Sequence, residues 1–469
     1  VYAVGPFREP RDITESITEA SGAAAAVGSF LARARDTQTR KEHFPAARDV
    51  SEEEARTAVF VCHCGKNIAG TVDVEAVQEY AATLPGVVHT EHTVYACSQD
   101  SIAHITGKLK DIDANRLVIA RCSPLTHAPL FESSMKTAGL NPYLFDMANI
   151  RNQCSWVHAD DKDKATQKAK ELVRMATART NALDPLTTSE MPMTKSVLVI
   201  GGGASGMTSA LTLADQGYPV VLVEKSGRLG GNLLNVHFGL DEWGAGGGLH
   251  GGGGTERIPP QAFLARLVTD VHAHPRIDIH MNTQLASTSG FMGNFTSTLE
   301  PAGEGRQENQ RIQLQHGVVI LATGGKEYRG DEYGYGASKR VVTGQEFEQL
   351  LARHDMGIVA ADDPALPDSL VMILCVGPAE KYCARICCTT AMKNALALKK
   401  LKPEARVTVL YKDIRTYGFK ERLYTQARES GVVFIQYDDH NQPEVNIDEN
   451  GQPITVGIWE SIIGKQITL

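Results

Sequence analysis

Two residue patterns in this 469-residue chain could do chemistry. The first is cysteine. The nine cysteines fall in two groups: Cys62, Cys64, Cys97, Cys122 and Cys154, then Cys375, Cys383, Cys387 and Cys388. In the second group, Cys375-x7-Cys383-x3-Cys387-Cys388, four thiolates lie within 14 positions, with Gly377 and Pro378 in the loop. Four cysteine thiolates are the usual ligand set of a [4Fe–4S] cluster, and the spacing is too irregular for a zinc knuckle. Disulfides are the competing reading. They suit a cytosolic chain poorly, and the adjacent Cys387 and Cys388 cannot readily pair with each other. The second pattern is Gly201-Gly202-Gly203-Ala204-Ser205-Gly206 followed by Glu224, 18 residues after the last glycine. This is G-x-G-x-x-G with a trailing acid. Gly201 permits a tight turn, Gly203 lets backbone approach a pyrophosphate, and Gly206 lets a helix pack closely on a strand. Glu224 can accept hydrogen bonds from ribose hydroxyls.

Elements must hold these residues in place. Ser196–Ile200 reads as a buried strand, with a helix through Leu213 and a second strand at Val220–Val223, so the glycine motif sits inside a βαβ unit. Upstream, strands are predicted at Val59–Val61, Val87–Ala96 and Leu117–Ala120. Helices are predicted near Val74–Leu84, Ile102–Leu109 and Lys162–Ala178. This alternation implies a parallel sheet with helices on its faces. Cys62, Cys64, Cys97 and Cys122 then follow strands. Carboxyl ends of parallel strands converge on one edge, so wide spacing does not prevent a shared cluster. Buried structural cysteines are also common. Five cysteines exceed four ligand positions, and spacing alone does not say whether Cys62 or Cys64 is the ligand; the choice made is Cys64, Cys97, Cys122 and Cys154.

Two further motifs resemble the R-x-G-G and A-T-G turns of two-dinucleotide-binding flavoproteins. One is Lys225-Ser226-Gly227-Arg228-Leu229-Gly230-Gly231-Asn232, and the other is Ala322-Thr323-Gly324-Gly325 after the strand Val318–Leu321. Their order and spacing point to FAD rather than NAD. No C-x-x-C pair lies in this part of the chain, which weakens a thioredoxin-reductase-like thiol relay.

Residues 58–469 resemble the A-type flavoprotein of heterodisulfide reductase. The resemblance is carried by Val61-Cys62-His63-Cys64-Gly65-x-Asn67-Ile68-Ala69-Gly70, Arg121-Cys122-Ser123-Pro124, Asn141–Phe145, Ala148–Arg151 and Gln153–His158. It continues in Tyr382-Cys383-x-Arg385-x-Cys387-Cys388-Thr389-Thr390 and Tyr411–Glu421. The resemblance implies FAD, two [4Fe–4S] clusters in this portion and electron transfer within an anaerobic complex. In several members it implies bifurcation of electrons at the FAD. It implies partner subunits of the heterodisulfide reductase B and C type, with ferredoxin- or hydrogenase-linked subunits. It also places Lys393 at the reactive edge of the flavin, where composition alone would favour an exposed helix lysine.

Phe7–Ser16 followed by Ala23–Ala26 resembles the segment that closes the flavin domain in this family. The organisation expected is therefore residues 1–35 as the tail of a preceding flavin module and 36–57 as a linker. An α/β iron–sulfur domain follows at 58–182, a linker at 183–195, and a Rossmann-like, thioredoxin-reductase-like FAD domain at 196–469, incomplete at its carboxyl end. Both ends read as cut, since the chain starts at Val1 and stops in the strand-like Ile467-Thr468-Leu469. Some family members carry a ferredoxin-like insertion after the R-x-G-G turn; here Gly244–Gly254, mostly glycine, reads as a flexible loop.

Composition bounds the rest. Hydrophobic residues make up 42% of the chain, enough for real cores, and a net charge of -8 argues against a nucleic-acid surface. No apolar run approaches the roughly 18 residues of a membrane span, and no signal peptide is evident, so a cytoplasmic protein is expected. Two other activities fit the same motifs: a module serving an aromatic acyl-CoA (benzoyl-CoA) reductase complex, and a pyridine-nucleotide-dependent flavin disulfide reductase. The second lacks a clear second nucleotide fingerprint near Leu370–Gly377. A scaffold protein without working cofactors is the non-enzymatic alternative.

Overall fold

The computed structural model describes residues 1–7, 12–40, 42–240, 258–303, 311–377, 383–447 and 453–469. The glycine run Gly244–Gly254, Arg8–Arg11 of the amino-terminal motif, and Pro378 and Tyr382 of the cysteine loop lie outside them. The chain divides into two compact units, Gln38–Met191 and a second built from Val1–Thr37 with Pro192–Leu469.

The chain opens with α1 (Ile13–Leu31), started by a capping box in which Asp12 accepts from the Glu15 amide and Glu15 answers the Asp12 amide. It belongs to the second unit, where Ser29 Oγ donates to the Thr212 carbonyl and Gln216 Nε2 to the Ala25 carbonyl.

The unit Gln38–Met191 alternates strictly: β1 (Thr57–Cys62), α2 (Val74–Ala82), β2 (Val87–Thr93), α3 (Gln99–Asp111), β3 (Arg116–Arg121), α4 (Pro124–Thr137), β4 (Phe145–Asn149) and α5 (Lys162–Asn181). The four strands form one parallel sheet in the order β2-β1-β3-β4. β1 and β3 are buried at every position, as expected of strands covered on both faces. Val59, Val61, Val118 and Ala120 pack toward α2 and α5. Phe60, Cys62, Leu117 and Ile119 pack toward the opposite face with Ile105, Phe131 and Met135. Asp73, Ser98 and Asp161 cap α2, α3 and α5 through side-chain oxygens.

The other unit continues with β5 (Val197–Ile200), α6 (Ala204–Asp215), β6 (Val220–Val223), α7 (Pro260–Ala273), β7 (Ile277–His280), β8 (Thr283–Phe291), β9 (Asn294–Pro301), β10 (Ile312–His316) and β11 (Val318–Leu321). A parallel sheet β11-β5-β6-β7 carries the glycine motif, and β10-β9-β8 is an antiparallel meander. Then come α8 (Gly344–Asp355), β12 (Ser369–Ile373), α9 (Cys387–Leu401), β13 (Arg406–Tyr411), α10 (Glu421–Glu429) and β14 (Val433–Gln436), giving a parallel sheet β12-β13-β14. The chain ends in the antiparallel β15 (Glu444–Ile447), β16 (Pro453–Glu460) and β17 (Lys465–Thr468). Among the described residues no helix is long and apolar enough to cross a membrane.

Candidate functional site

The glycine loop joins β5 to α6, and its contacts explain each glycine. A Cβ on Gly206 would lie 1.8 Å from the Gly201 carbonyl oxygen, and one on Gly201 would lie 2.2 Å from that of Ala322. Gly201 also has φ +110°, a region that L side chains avoid. Gly203 differs: a Cβ there would meet nothing nearer than the Gly231 Cα at 3.9 Å. That space is open, so the fold itself does not demand glycine there. Gly203 is also the N-cap of α6. It offers no side-chain cap, and the first turn, which begins with Ala204 and Ser205, carries no acid. The orphan amides and the helix dipole are therefore free to hold an anion.

Glu224, at the tip of β6, is buried and accepts from the Gly202 amide at 2.7 Å and from the Ser226 amide and hydroxyl at 2.8 Å. It thus ties the end of the second strand to the loop. Lys225 and Arg228 are exposed beside it. Gly203 and Gly230 form an isolated bridge, and Asn232 Nδ2 donates to the Gly325 carbonyl at 2.8 Å. The turns Arg228–Asn232 and Ala322–Gly325 therefore meet around the mouth of the loop, with Thr323 and Gly324 exposed. The residues present fit FAD: an open cradle, a free helix terminus and a carboxylate at the second strand.

Lys393 is not the exposed helix lysine that composition alone would favour. It lies on α9 at 5% exposure, and its Nζ donates to Glu348 Oε1 at 2.7 Å. Glu348, on α8 and 2% exposed, also accepts from the His237 and Phe238 amides. The chain leaving the Arg228–Asn232 turn is thereby pinned to the helix that follows the cysteine loop. Sequence reasoning missed Glu348; an acid in the amphipathic α8 reads as surface, and only burial reveals it.

The second cysteine group gathers where β12 ends and α9 begins. Cys375, in a left-handed conformation, follows β12, and Cys387 and Cys388 open α9. The neighbouring Cys388 thiol holds the Cys387 thiol down to about 6, while Cys388 itself is pushed up. Cys388 also points to the Asp413 carbonyl at 3.6 Å, and Cys383 takes the Arg385 amide at 3.3 Å.

In the first group, Cys62 Sγ accepts from the Ala96 amide at 3.4 Å, and Cys64 Sγ lies 3.8 Å from Arg151 Nη1. Cys154 lies apart from Cys62, in the core beneath α5, where it donates to the Ala165 carbonyl at 3.0 Å and burial pushes its thiol up to about 11. Cys122 is buried and Cys97 half-buried beside the same strand ends. Among the described residues no three His, Cys, Asp or Glu side chains close into a metal-holding group. What does fit an anionic cluster is the surroundings: beside Cys122, Arg121 is 2% exposed, and its Nε and Nη1 have no hydrogen-bond partner.

The FAD binding domain family matches residues 196–241, which span the glycine loop, Glu224 and the Arg228–Asn232 turn. The A-type polypeptide of the H2:CoB-CoM heterodisulfide,ferredoxin reductase of Methanothermobacter thermautotrophicus is 32% identical over 89% of this chain and 73% of its own length. One of the A-type iron-sulfur polypeptides of the CoB–CoM heterodisulfide reductase of Methanopyrus kandleri is 32% identical over 82% and 70%.

The chain belongs to the A-type family of heterodisulfide reductase subunits.

Membership makes it an oxidoreductase with an FAD-binding domain on an α/β frame, and each of these relatives is itself named as one subunit of its enzyme. Among solved structures, a Lactococcus lactis thioredoxin reductase covers 59% of the chain and 74% of its own at 13% identity and a TM-score of 0.36, too loose an overlap to carry an argument.

Proposed function

We propose that this heterodisulfide reductase A-type chain is the FAD and iron–sulfur electron-transfer subunit of an anaerobic oxidoreductase complex. The observation that carries this reading is the open space at Gly203 in front of an uncapped helix terminus, in a chain whose nine cysteines fall into two groups. Bound FAD would supply the exchange between two-electron and one-electron chemistry. Gly201, Gly203, Ala204, Ser205 and Gly206 would hold the pyrophosphate, with Glu224 toward the ribose. Asn232 and the turn Ala322–Gly324 would shape the mouth, with Lys225, Arg228 and Gly231 at its rim. Lys393, a buried cation, would stabilise an anionic reduced flavin, with Glu348 fixing its position.

Cys375, Cys383, Cys387 and Cys388 would hold one [4Fe–4S] cluster, supported by the depressed Cys387 thiol and the basic Arg415 close by. Four of the five cysteines in 58–182 would hold another. The Methanothermobacter relative's enzyme is named for H2, the CoB-CoM heterodisulfide and ferredoxin, and we place this chain in the same class of complex, with partner subunits as donor and acceptor. An ultraviolet–visible spectrum of anaerobically purified protein tests the reading. Flavin bands over broad absorption near roughly 400 nm are expected. A flavin spectrum without iron would leave a plain flavoprotein, and neither would leave a scaffold. Identifying the subunits that co-purify tests the complex.

A further inference from the structure

The carboxyl edge of β1 and β3 holds a buried positive charge with spare hydrogen-bonding capacity. A guanidinium stays protonated inside proteins, so Arg121 places a full charge in a low-dielectric environment. Its carbon lies 5.3 Å over the Phe131 ring, and among the described residues no carboxylate pairs with it. Left alone, such a charge is strongly destabilising.

The sheet register shows what stands beside it. Val61 pairs with Ala120, so Cys62 is level with Arg121, and Cys62 pairs with Thr93 on the other side. Residues level across a parallel sheet share a face. Thr93, Cys62 and Arg121 therefore make a row, on the face where Cys62 packs with Phe60, Ile105 and Phe131. The Thr93 hydroxyl is a second buried polar group without a partner. Cys97 follows Ala96, whose amide already reaches the Cys62 sulfur, and Cys122 follows Arg121. Two unspent buried donors thus flank a cysteine, with Cys97 and Cys122 each one residue beyond a member of this neighbourhood in sequence. Cys154 is on the opposite face, with its thiol committed to the Ala165 carbonyl.

We propose that Arg121, with Thr93 beside it, is the electrostatic seat of the cluster held in residues 58–182. That cluster then lies on the Cys62 face of the sheet, and Arg121 raises its reduction potential. The inference rests on the iron–sulfur reading of this unit. A [4Fe–4S] core with four thiolates is anionic, and one-electron reduction adds a further negative charge. A fixed cation in a dry site stabilises the reduced form more, so the potential rises. Arg121 acts here as a positioning residue, not as a ligand.

The test is an anaerobic redox titration followed by electron paramagnetic resonance, with iron quantitation, on the full chain. The signal lost in Cys122→Ser identifies the cluster; if iron and signals are unchanged there, the iron–sulfur reading of this unit fails and the inference with it. In Arg121→Gln, iron is expected to be retained and the reduction equilibrium to move at least tenfold toward the oxidised form, a fall of about 59 mV for one electron. Retained iron with an unchanged midpoint overturns the inference while leaving the cluster in place. Thr93→Val, a substitution a strand accepts readily, carries the test should Arg121→Gln not fold. A smaller fall is expected there, and an unchanged midpoint in that variant overturns the inference as well.

Discussion

The glycine loop at Gly201–Gly206 and the cysteine edge of the β2-β1-β3-β4 sheet are built on the same plan, a helix or loop leaving the carboxyl end of a parallel strand. They differ in what completes them. At the loop, backbone does the work: the glycines leave a cavity, the first amides of α6 point out of it, and Glu224 already has hydrogen-bond partners. At the cysteine edge, side chains do the work, and some remain unspent, notably the Arg121 guanidinium and the Thr93 hydroxyl. A backbone site is fully formed in the bare polypeptide. At the cysteine edge the polypeptide holds donors alone.

The comparison can be broken most severely at the loop. Gly203→Val should give folded protein devoid of flavin, because the new side chain enters ligand space, whereas Gly206→Ala should damage the fold itself, because its Cβ meets the Gly201 carbonyl. Flavin absorbance together with circular dichroism separates these outcomes; a flavin-replete Gly203→Val protein would mean that the pyrophosphate lies elsewhere. Next in size, Cys387→Ser should remove the iron of one cluster and leave that of the other; unchanged iron and an unchanged spectrum would sink that ligand set. For the first group, a cluster on the Cys62 face leaves Cys154 out, so Cys62→Ser and Cys64→Ser should each remove it, and its loss in Cys154→Ser would put it on the other face.

Third, Lys393→Ala leaves Glu348 as a buried unpaired carboxylate, which should cost about 3–5 kcal/mol of stability. Adding Glu348→Gln should recover much of that loss in a thermal melt. With FAD bound, the flavin potential of Lys393→Ala should fall, and equal midpoints would mean that other groups tune the ring. The smallest effect concerns protonation. His63 Nε2 lies 2.7 Å from His92 Nδ1, and burial, then the His92 charge, lowers the His63 pKa below 6.5. A histidine with a depressed folded value disfavours its charged form, so its contribution is intact above about 6.5 and is lost as pH falls through that range. Melting temperature should drop on acidification, and less steeply in His63→Gln.

Legibility followed the same divide. The βαβ glycine motif was readable because turn, close approach and helix packing each demand glycine at a fixed offset, and Val197–Ile200 and Val220–Val223 carry the apolar runs of covered strands. In the cysteine unit, α4 was missed because Pro129 interrupts it and its apolar face is weak, and β4 because Phe145-Asp-Met-Ala-Asn shows no clean strand pattern. Glu348 and Arg121 were illegible as partners because burial of a charged side chain depends on elements distant in sequence. The Arg-Cys-Ser-Pro stretch marked Arg121 only as part of a motif, and sheet register alone sets it beside Cys62 and Thr93.

The docking of α1 on α6 has a temporal consequence. The bond from Ser29 to Thr212 spans 183 residues, and that from Gln216 to Ala25 spans 191. During synthesis α1 emerges before Gln38–Met191, and its seat on α6 is made only after the whole of that unit has been translated. That intervening unit holds its own sheet and both its apolar faces, so it can fold while α1 waits. None of the residues of α1 is buried even when docked, and Ile13, Ile17, Phe30 and Leu31 stay exposed, so the waiting helix gains little burial by forming alone. The unit that carries the glycine loop therefore closes after Gln38–Met191, and FAD would meet a loop whose far side, Ala322, is made later still.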